Sequence, residues 1–285
     1  MIFVLLGVLC SVLVSVLLKL VRRLQIDVGQ AIAWNYVVTS VLTAWLLRPT
    51  LSTLRGPGVP WLALIALGIL LPTIFLALAA AVRHAGIVRS DAAQRLSLLL
   101  SLLAAFVLFG EHLDAVKLTG IALGLLALPC MIWRSGSSAA STGVAAWPYP
   151  LLVFAGFGLI DILFKRVALA GIPLGDSLLA MFALALAVAF AMQLWRRQRQ
   201  RVRFTARSAL AGVVLGAANF GNILFYLRGH RALPEHPALV FAGMNIGVVA
   251  LGAVVGLLLF RERLGRLNLC GVLLAAIAIG VIAWP

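Results

Sequence analysis

The chain has 285 residues, of which 64% are hydrophobic and only 11% charged, with a formal net charge of +15 and a mean hydropathy of +1.13. A soluble domain carries charge on about a quarter of its residues, so this composition excludes a soluble enzyme or receptor domain and describes an integral membrane protein. The Lys and Arg excess gathers at the ends of apolar stretches and in one loop, as topology signals do, and implies no nucleic-acid partner.

A bilayer core about 30 Å thick needs roughly 20 apolar residues per helix. Ten stretches meet that requirement in chain order: 2–21, 30–47, 59–82, 87–109, 115–133, 149–169, 174–195, 208–228, 236–260 and 266–284. The first starts at once, with no basic segment ahead of it and no small-residue cleavage site before Lys19, so it reads as a retained span and not a removable leader. Lys19 itself is placed to snorkel or to carry a charge role. The second stretch bears Asn35, Thr39 and Thr43 on one stripe, flanked by Trp34 and Tyr36. That stripe reads equally as cavity lining or as hydroxyls bonded to their own helix, with the aromatics in an interfacial belt.

In the fourth stretch Gln94 is followed by Arg95, an anion contact or a snorkelling end residue. Between 134 and 148 the chain turns rich in Ser, Ala and Gly, a linker composition. In the sixth stretch Asp161 lies far from either helix end, where a charge costs about 2.5–3.5 kcal/mol on insertion scales. Lys165 follows four residues on, on the same helical face. The two read either as a self-neutralising pair or as a substrate-amine or proton site. In the eighth, Asn219, Asn222 and Tyr226 share a face, suited to a wet cavity or to helix-to-helix hydrogen bonding. Cys10, Cys130 and Cys270 are isolated thiols in apolar helices and imply no disulfide or metal framework.

The chain repeats itself. Phe109-Gly-Glu111-His-Leu113, with Gly120 and Leu123, returns 151 positions later as Phe260-Arg-Glu262-Arg-Leu264, with Gly271 and Leu274. Gln94 and Asn245 stand at the same spacing, which makes them equivalent positions, while Glu111 and Glu262 read as loop anchors. Ser15-Val-Leu-Leu-Lys19 and Gln30 face Asp161-Ile-Leu-Phe-Lys165 and Asp176 at a spacing of 146. The reading is an all-α membrane protein of ten helices in two five-helix repeats, 1–133 and 149–285, joined by 134–148. Five is odd, so the second repeat enters the membrane inverted, an arrangement that places a substrate site at the midplane between the halves.

Orientation follows from the basic residues. Loops after odd-numbered helices hold fifteen of them: Lys19, Arg22, Arg23, Arg83, Arg89, Arg134, six Arg between 196 and 207, Arg261, Arg263 and Arg266. The even set holds seven: Arg48, Arg55, Lys117, Lys165, Arg166, Arg228 and Arg231. On this count the 196–207 loop is cytoplasmic and both termini face outward.

Ten helices arranged five plus five, a doubled Phe-x-Glu-x-Leu…Gly phrase after the fourth and ninth, and a Lys near the end of the first and sixth resemble the EamA-type members of the drug/metabolite transporter superfamily. The resemblance covers essentially the whole chain. It implies an inverted-repeat carrier with a central cavity lined by helices one to four and six to nine, the fifth and tenth lying at the back. Two departures are visible: the fourth helix reads Leu96-Ser-Leu-Leu-Leu100 where many relatives carry a Pro, and many relatives keep their termini in the cytoplasm.

Enzyme signatures such as His-Glu-x-x-His, Gly-x-Ser-x-Gly or a phosphate-binding Gly loop are absent from the sequence, and no cofactor or metal is expected. The expected function is secondary transport, by alternating access, of a small metabolite such as an amino acid. Efflux is the direction common among relatives, and the bacterial inner membrane is the expected location. Asp161, Asn219, Asn222, Tyr226, Gln94, Asn245, Asn35, Tyr36 and Arg95 are the expected substrate contacts. Asp161, Lys165 and Lys19 are the charge-bearing set, and protons are the candidate coupling ion. The protein is expected as a monomer or homodimer among membrane lipids. A lipid or lipid-linked sugar flippase is the alternative, and a membrane scaffold or membrane-embedded enzyme lies outside the class.

Overall fold

A computed structural model describes residues 1–85, 87–110, 115–132, 148–200, 202–260 and 266–283. Apart from one 3-10 turn at Ser52–Arg55, its regular elements are α-helices, and the described residues contain no strand. In chain order they are α1 (Ile2–Arg23), α2 (Val28–Leu47), α3 (Trp61–Ala85), α4 (Ile87–Val107), α5 (Ala115–Ile132), α6 (Pro148–Leu169), α7 (Leu174–Gln200), α8 (Ala206–Ala232), α9 (Pro237–Phe260) and α10 (Arg266–Ala283). Glu111, Glu262 and nearly all of the 134–148 linker lie outside the described residues, as do the side chains of Lys19 and Arg95.

Five described stretches are long and apolar enough to cross a bilayer unaided: Val28–Leu47, Trp61–Leu78, Leu174–Gln200, Ala206–Ala232 and Pro237–Gly256. Shorter apolar runs occupy Ile2–Leu18, Leu96–Val107 and Leu118–Ala127. Helix α6 is not among the five, and it carries Asp161, Lys165 and Arg166 within its length. Its charges need protein around them.

Local chemistry sets the helix boundaries. Asp27 caps α2, its carboxylate accepting the Gln30 N–H at 3.0 Å, and Thr205 caps α8 by accepting the Ser208 N–H at 3.3 Å. Such caps satisfy backbone donors that the first helical turn leaves unpaired. Between α6 and α7 the chain turns through Gly171 at φ 72°, a left-handed conformation that favours glycine.

The helices pack as two groups of four that mix early and late parts of the chain. Helices α1, α2, α8 and α9 form one group, and α3, α4, α6 and α7 the other. Contacts of α2 with α7, α4 with α9 and α6 with α8 join the groups, while α5 and α10 pack on each other. The α2–α8 seam is closed by small residues. A Cβ at Gly212 would stand 2.6 Å from the Ala31 carbonyl oxygen, and one at Gly216 would stand 2.8 Å from that of Asn35. Glycines at a four-residue spacing let two backbones touch, which in lipid is a main source of helix association.

At one end of the bundle the α1–α2 turn meets the α7–α8 connection. Arg196 donates to both Asp27 carboxylate oxygens, at 3.0 and 2.9 Å. The Gln30 amide donates to the Arg203 carbonyl at 2.8 Å and accepts the Thr205 N–H at 3.1 Å. Burial pushes the Asp27 carboxyl up, but the Arg196 guanidinium and the Gln30 and Gly29 N–H groups outweigh it and hold the group below its ordinary value. At the other end the Thr53 hydroxyl donates to Asp176, and Arg231 donates to the Ile172 carbonyl. Gln30 and Asp176 are the residues that the sequence pairs at a spacing of 146. Each sits in the first turn of the second helix of its half and bonds to the connection that follows the equivalent helix of the other half.

Candidate functional site

Polar side chains that the sequence scatters over six helices converge on one cavity of about 170 Å³, lined from α1, α2, α3, α4, α6, α8 and α9. Drug-sized ligands occupy roughly 300–1,000 Å³, so the space suits a small metabolite. Among the described residues, α5, α7 and α10 add no lining residue.

The centre of the site is Asp161 on α6. Two glycines one turn earlier allow its neighbours in close: Gly156 packs under Ile74 of α3 and Gly158 under Leu100 of α4. The Ser101 hydroxyl donates to Asp161 Oδ2 and the Tyr226 hydroxyl to Oδ1, each at 2.8 Å. The Asn245 amide is a third hydrogen-bond partner of the carboxylate and also donates to the Phe241 carbonyl at 3.0 Å. Ser101 belongs to the same helix group as Asp161, whereas Tyr226 and Asn245 belong to the other. One carboxylate therefore ties the two groups together. An ionised carboxylate offers about four acceptor sites, and three neutral donors leave room for a further proton or cation.

Of the residues singled out from sequence, Asp161, Asn219, Asn222, Tyr226, Gln94, Asn245 and Tyr36 all border the cavity. Asn35 does not. It is 2% exposed on the α2 face that receives Gly212 and Gly216, so the α2 stripe divides between packing and cavity. Thr39 and Thr43 donate to the Tyr36 and Thr39 carbonyls at 3.2 and 2.6 Å, the own-helix bonding open to them. Arg95 and Lys19 sit on α4 and α1 with their side chains outside the description.

The spacing leaves Asp161 and Lys165 open as a self-neutralising pair or as a substrate-amine or proton site, and the structure directs the two side chains to different partners. Lys165 is fully buried, and its Nζ donates to the Pro234 carbonyl in the α8–α9 connection at 2.6 Å, 5.9 Å from the centre of the Phe109 ring. A lysine chain is long enough to leave its own helix face, and here it binds the α8–α9 connection. Beside it His230, also fully buried, lies edge-on to Tyr226 and Phe241, each with ring centroids 4.8 Å away.

Two contributors escaped the sequence reading. Ser101 continues a Gln94, Ser97, Ser101 stripe at steps of three and four, a visible signal of one polar face. Ser11 also lines the cavity, but nothing in the sequence distinguishes it from the Ser residues around it. Among the described residues no group of His, Cys, Asp and Glu could hold a metal ion.

Comparison with known proteins agrees with this architecture. The model of the EamA-like transporter family matches residues 1–133. An uncharacterized protein of Haemophilus influenzae (strain ATCC 51907 / DSM 11121 / KW20 / Rd) is 41% identical over 280 residues, spanning 96% of this chain and 94% of its own. A solved crystal structure, described only as that of a protein, is similar at a TM-score of 0.72 and 17% identity, over 99% of this chain and 95% of the other. That last likeness speaks for the fold alone.

Proposed function

This chain belongs to the EamA-like transporter family, and from that premise we propose that it is a ten-span secondary transporter exporting a small amine-bearing metabolite, a class that includes the amino acids and simpler amines, across a bacterial inner membrane. The observation that carries the reading is the cavity around Asp161, bounded by helices of both halves and bridged by one carboxylate. The inverted repeat is supported by the matched contacts of Gln30 and Asp176 at opposite ends and by the main helix pairings, since α2–α8, α1–α8 and α4–α6 recur as α3–α7, α3–α6 and α1–α9 when each helix of one half is exchanged for its counterpart. Alternating access then means breaking and remaking the contacts between the two four-helix groups around a fixed site. Asp161 is the group that takes a substrate amine or a coupling proton, with the Asn219, Asn222, Gln94 and Asn245 amides and the Tyr36 ring around the ligand.

Purified protein in proteoliposomes tests this directly. Labelled metabolites should move in a protein-dependent, saturable way, and Asp161→Asn should abolish movement while the variant melts close to wild type. An absence of flux across a panel of amino acids, amines and sugars refutes the transporter reading. An Asp161→Asn variant that melts early yet keeps its flux per folded molecule refutes the role of Asp161.

A further inference from the structure

The charge inventory of the cavity is lopsided. Among the described residues that line it, Asp161 carries the only formal charge. Lys165, the base on the same helix, is directed at the Pro234 carbonyl. Among the described lining residues, a zwitterionic amino acid would find a carboxylate for its ammonium but only amides and hydroxyls for its own carboxylate, and a desolvated charge that is poorly paired is costly.

The unsatisfied atoms point the same way. Asn222 and Tyr36 border the cavity, and the Asn222 Oδ1 and the Tyr36 hydroxyl are buried without a hydrogen-bond partner. Buried polar oxygens that lack partners mark a place for a ligand that donates. The remaining wall is apolar and includes five aromatic rings, among them Tyr36, Phe164 and Tyr226, whose faces attract a cation.

Resting on the transporter reading, we propose that the site selects a small primary amine with an aromatic or apolar body and no carboxylate. Its ammonium donates to Asp161 at the open acceptor position and to the unpaired oxygens of Asn222 and Tyr36. A quaternary ammonium brings the charge without the donors and leaves those oxygens unmet.

The test uses four probes that share one ring and differ in charge: phenethylamine, its N,N,N-trimethyl derivative, phenylalanine and phenylpropionate. A ligand that binds only the folded protein raises its melting temperature in proportion to RT ln(1 + [L]/Kd). Phenethylamine should stabilise the purified protein, the trimethyl derivative should bind about tenfold or more weakly, and the two carboxylates should have no effect. Asp161→Asn should erase the amine shift. Tyr36→Phe provides a second, well-folding variant, because removing an unpaired buried hydroxyl leaves the unliganded melt unchanged or higher. It should narrow the gap between the primary and quaternary amines. Equal stabilisation by phenylalanine, a response to phenylpropionate, or no response to the amine overturns the proposal. Flux of amino acids without amine binding sinks this inference and leaves transport standing, whereas amine binding without any flux does the reverse.

Discussion

Tyr226→Phe separates the two helix groups at their most informative point, since the Tyr226 hydroxyl on α8 donates to Asp161 on α6 at 2.8 Å. The substitution keeps the ring, and with it the edge contacts to Phe164 at 5.7 Å and His230 at 4.8 Å. What is lost is one hydrogen bond to a carboxylate, about 1.5–3 kcal/mol. Ser101 and Asn245 remain as partners, so the carboxylate is not orphaned. If the bond exists only while the groups are closed at the Lys165 end, its loss shifts the population there by roughly ten- to a hundredfold. Leu227, adjacent in sequence and fully buried, is a suitable reporter. With Cys10, Cys130 and Cys270 replaced by Ala and Leu227 by Cys, a membrane-permeant maleimide should label slowly in the parent and at least tenfold faster with Tyr226→Phe. Equal labelling rates would show that the bond does not hold this end closed, and the carboxylate bridge would lose its mechanical meaning.

Other expectations follow from single contacts. Gly212→Val drives a side chain into the Ala31 carbonyl at the α2–α8 seam and should destabilise by about 1–3 kcal/mol, read as a lower melting temperature, while an exposed control, Leu210→Ala, changes little. The Asp27–Arg196 pair is only about a quarter exposed on either side chain. A double-mutant cycle with Asp27→Asn and Arg196→Gln should give a coupling of about 1 kcal/mol, diminished by salt. Because folding depresses the Asp27 carboxyl, its contribution is complete above the unfolded value of 3.8 and is lost as pH falls through the lower folded one. Asp27→Asn should therefore flatten the acid limb of the melting curve, and an unchanged limb refutes the assignment. On the count of fifteen basic residues against seven, a C-terminal reporter should read the outer side, and a cytoplasmic signal reverses the orientation.

Much of the site was legible because membranes make polar side chains expensive. Asp161, Asn219, Asn222, Tyr226, Gln94 and Asn245 stand out against apolar helices, and the 151-residue repeat predicts that Gln94 and Asn245 are equivalent. Helical spacing fixes which residues share a face but not what that face meets. Asn35 has the same chemistry as Asn222, yet its face meets the glycines of α8, and only the packing of α2 decides that. Lys165 shows the other limit. A spacing of four residues predicts a shared face with Asp161, but a flexible four-carbon stem reached the Pro234 carbonyl, a partner 69 positions away in sequence. The aromatic wall was hidden for a different reason, since Phe75, Phe157 and Phe164 look like any other apolar residue in a span.

The repeat written in the sequence is not the unit that moves in the proposed cycle. Each repeat divides its helices between both four-helix groups, α1 and α2 from α3 and α4, α6 and α7 from α8 and α9. A rearrangement between the groups must therefore bend or hinge each repeat internally, near the α2–α3 and α7–α8 connections. Those are the two segments held by side chains from the opposite half, Thr53 by Asp176 and the Arg203–Thr205 stretch by Gln30. The α2–α7 contact lies between these hinges and carries both anchors, so it is suited to stay fixed while the lining helices move. Asp161 then sits on the moving seam, where one ligand can exchange bonds with Tyr226 and Asn245. A ligand biases such an equilibrium only through contacts that differ between the two states, and the donors reaching this carboxylate from the other group are contacts of that kind.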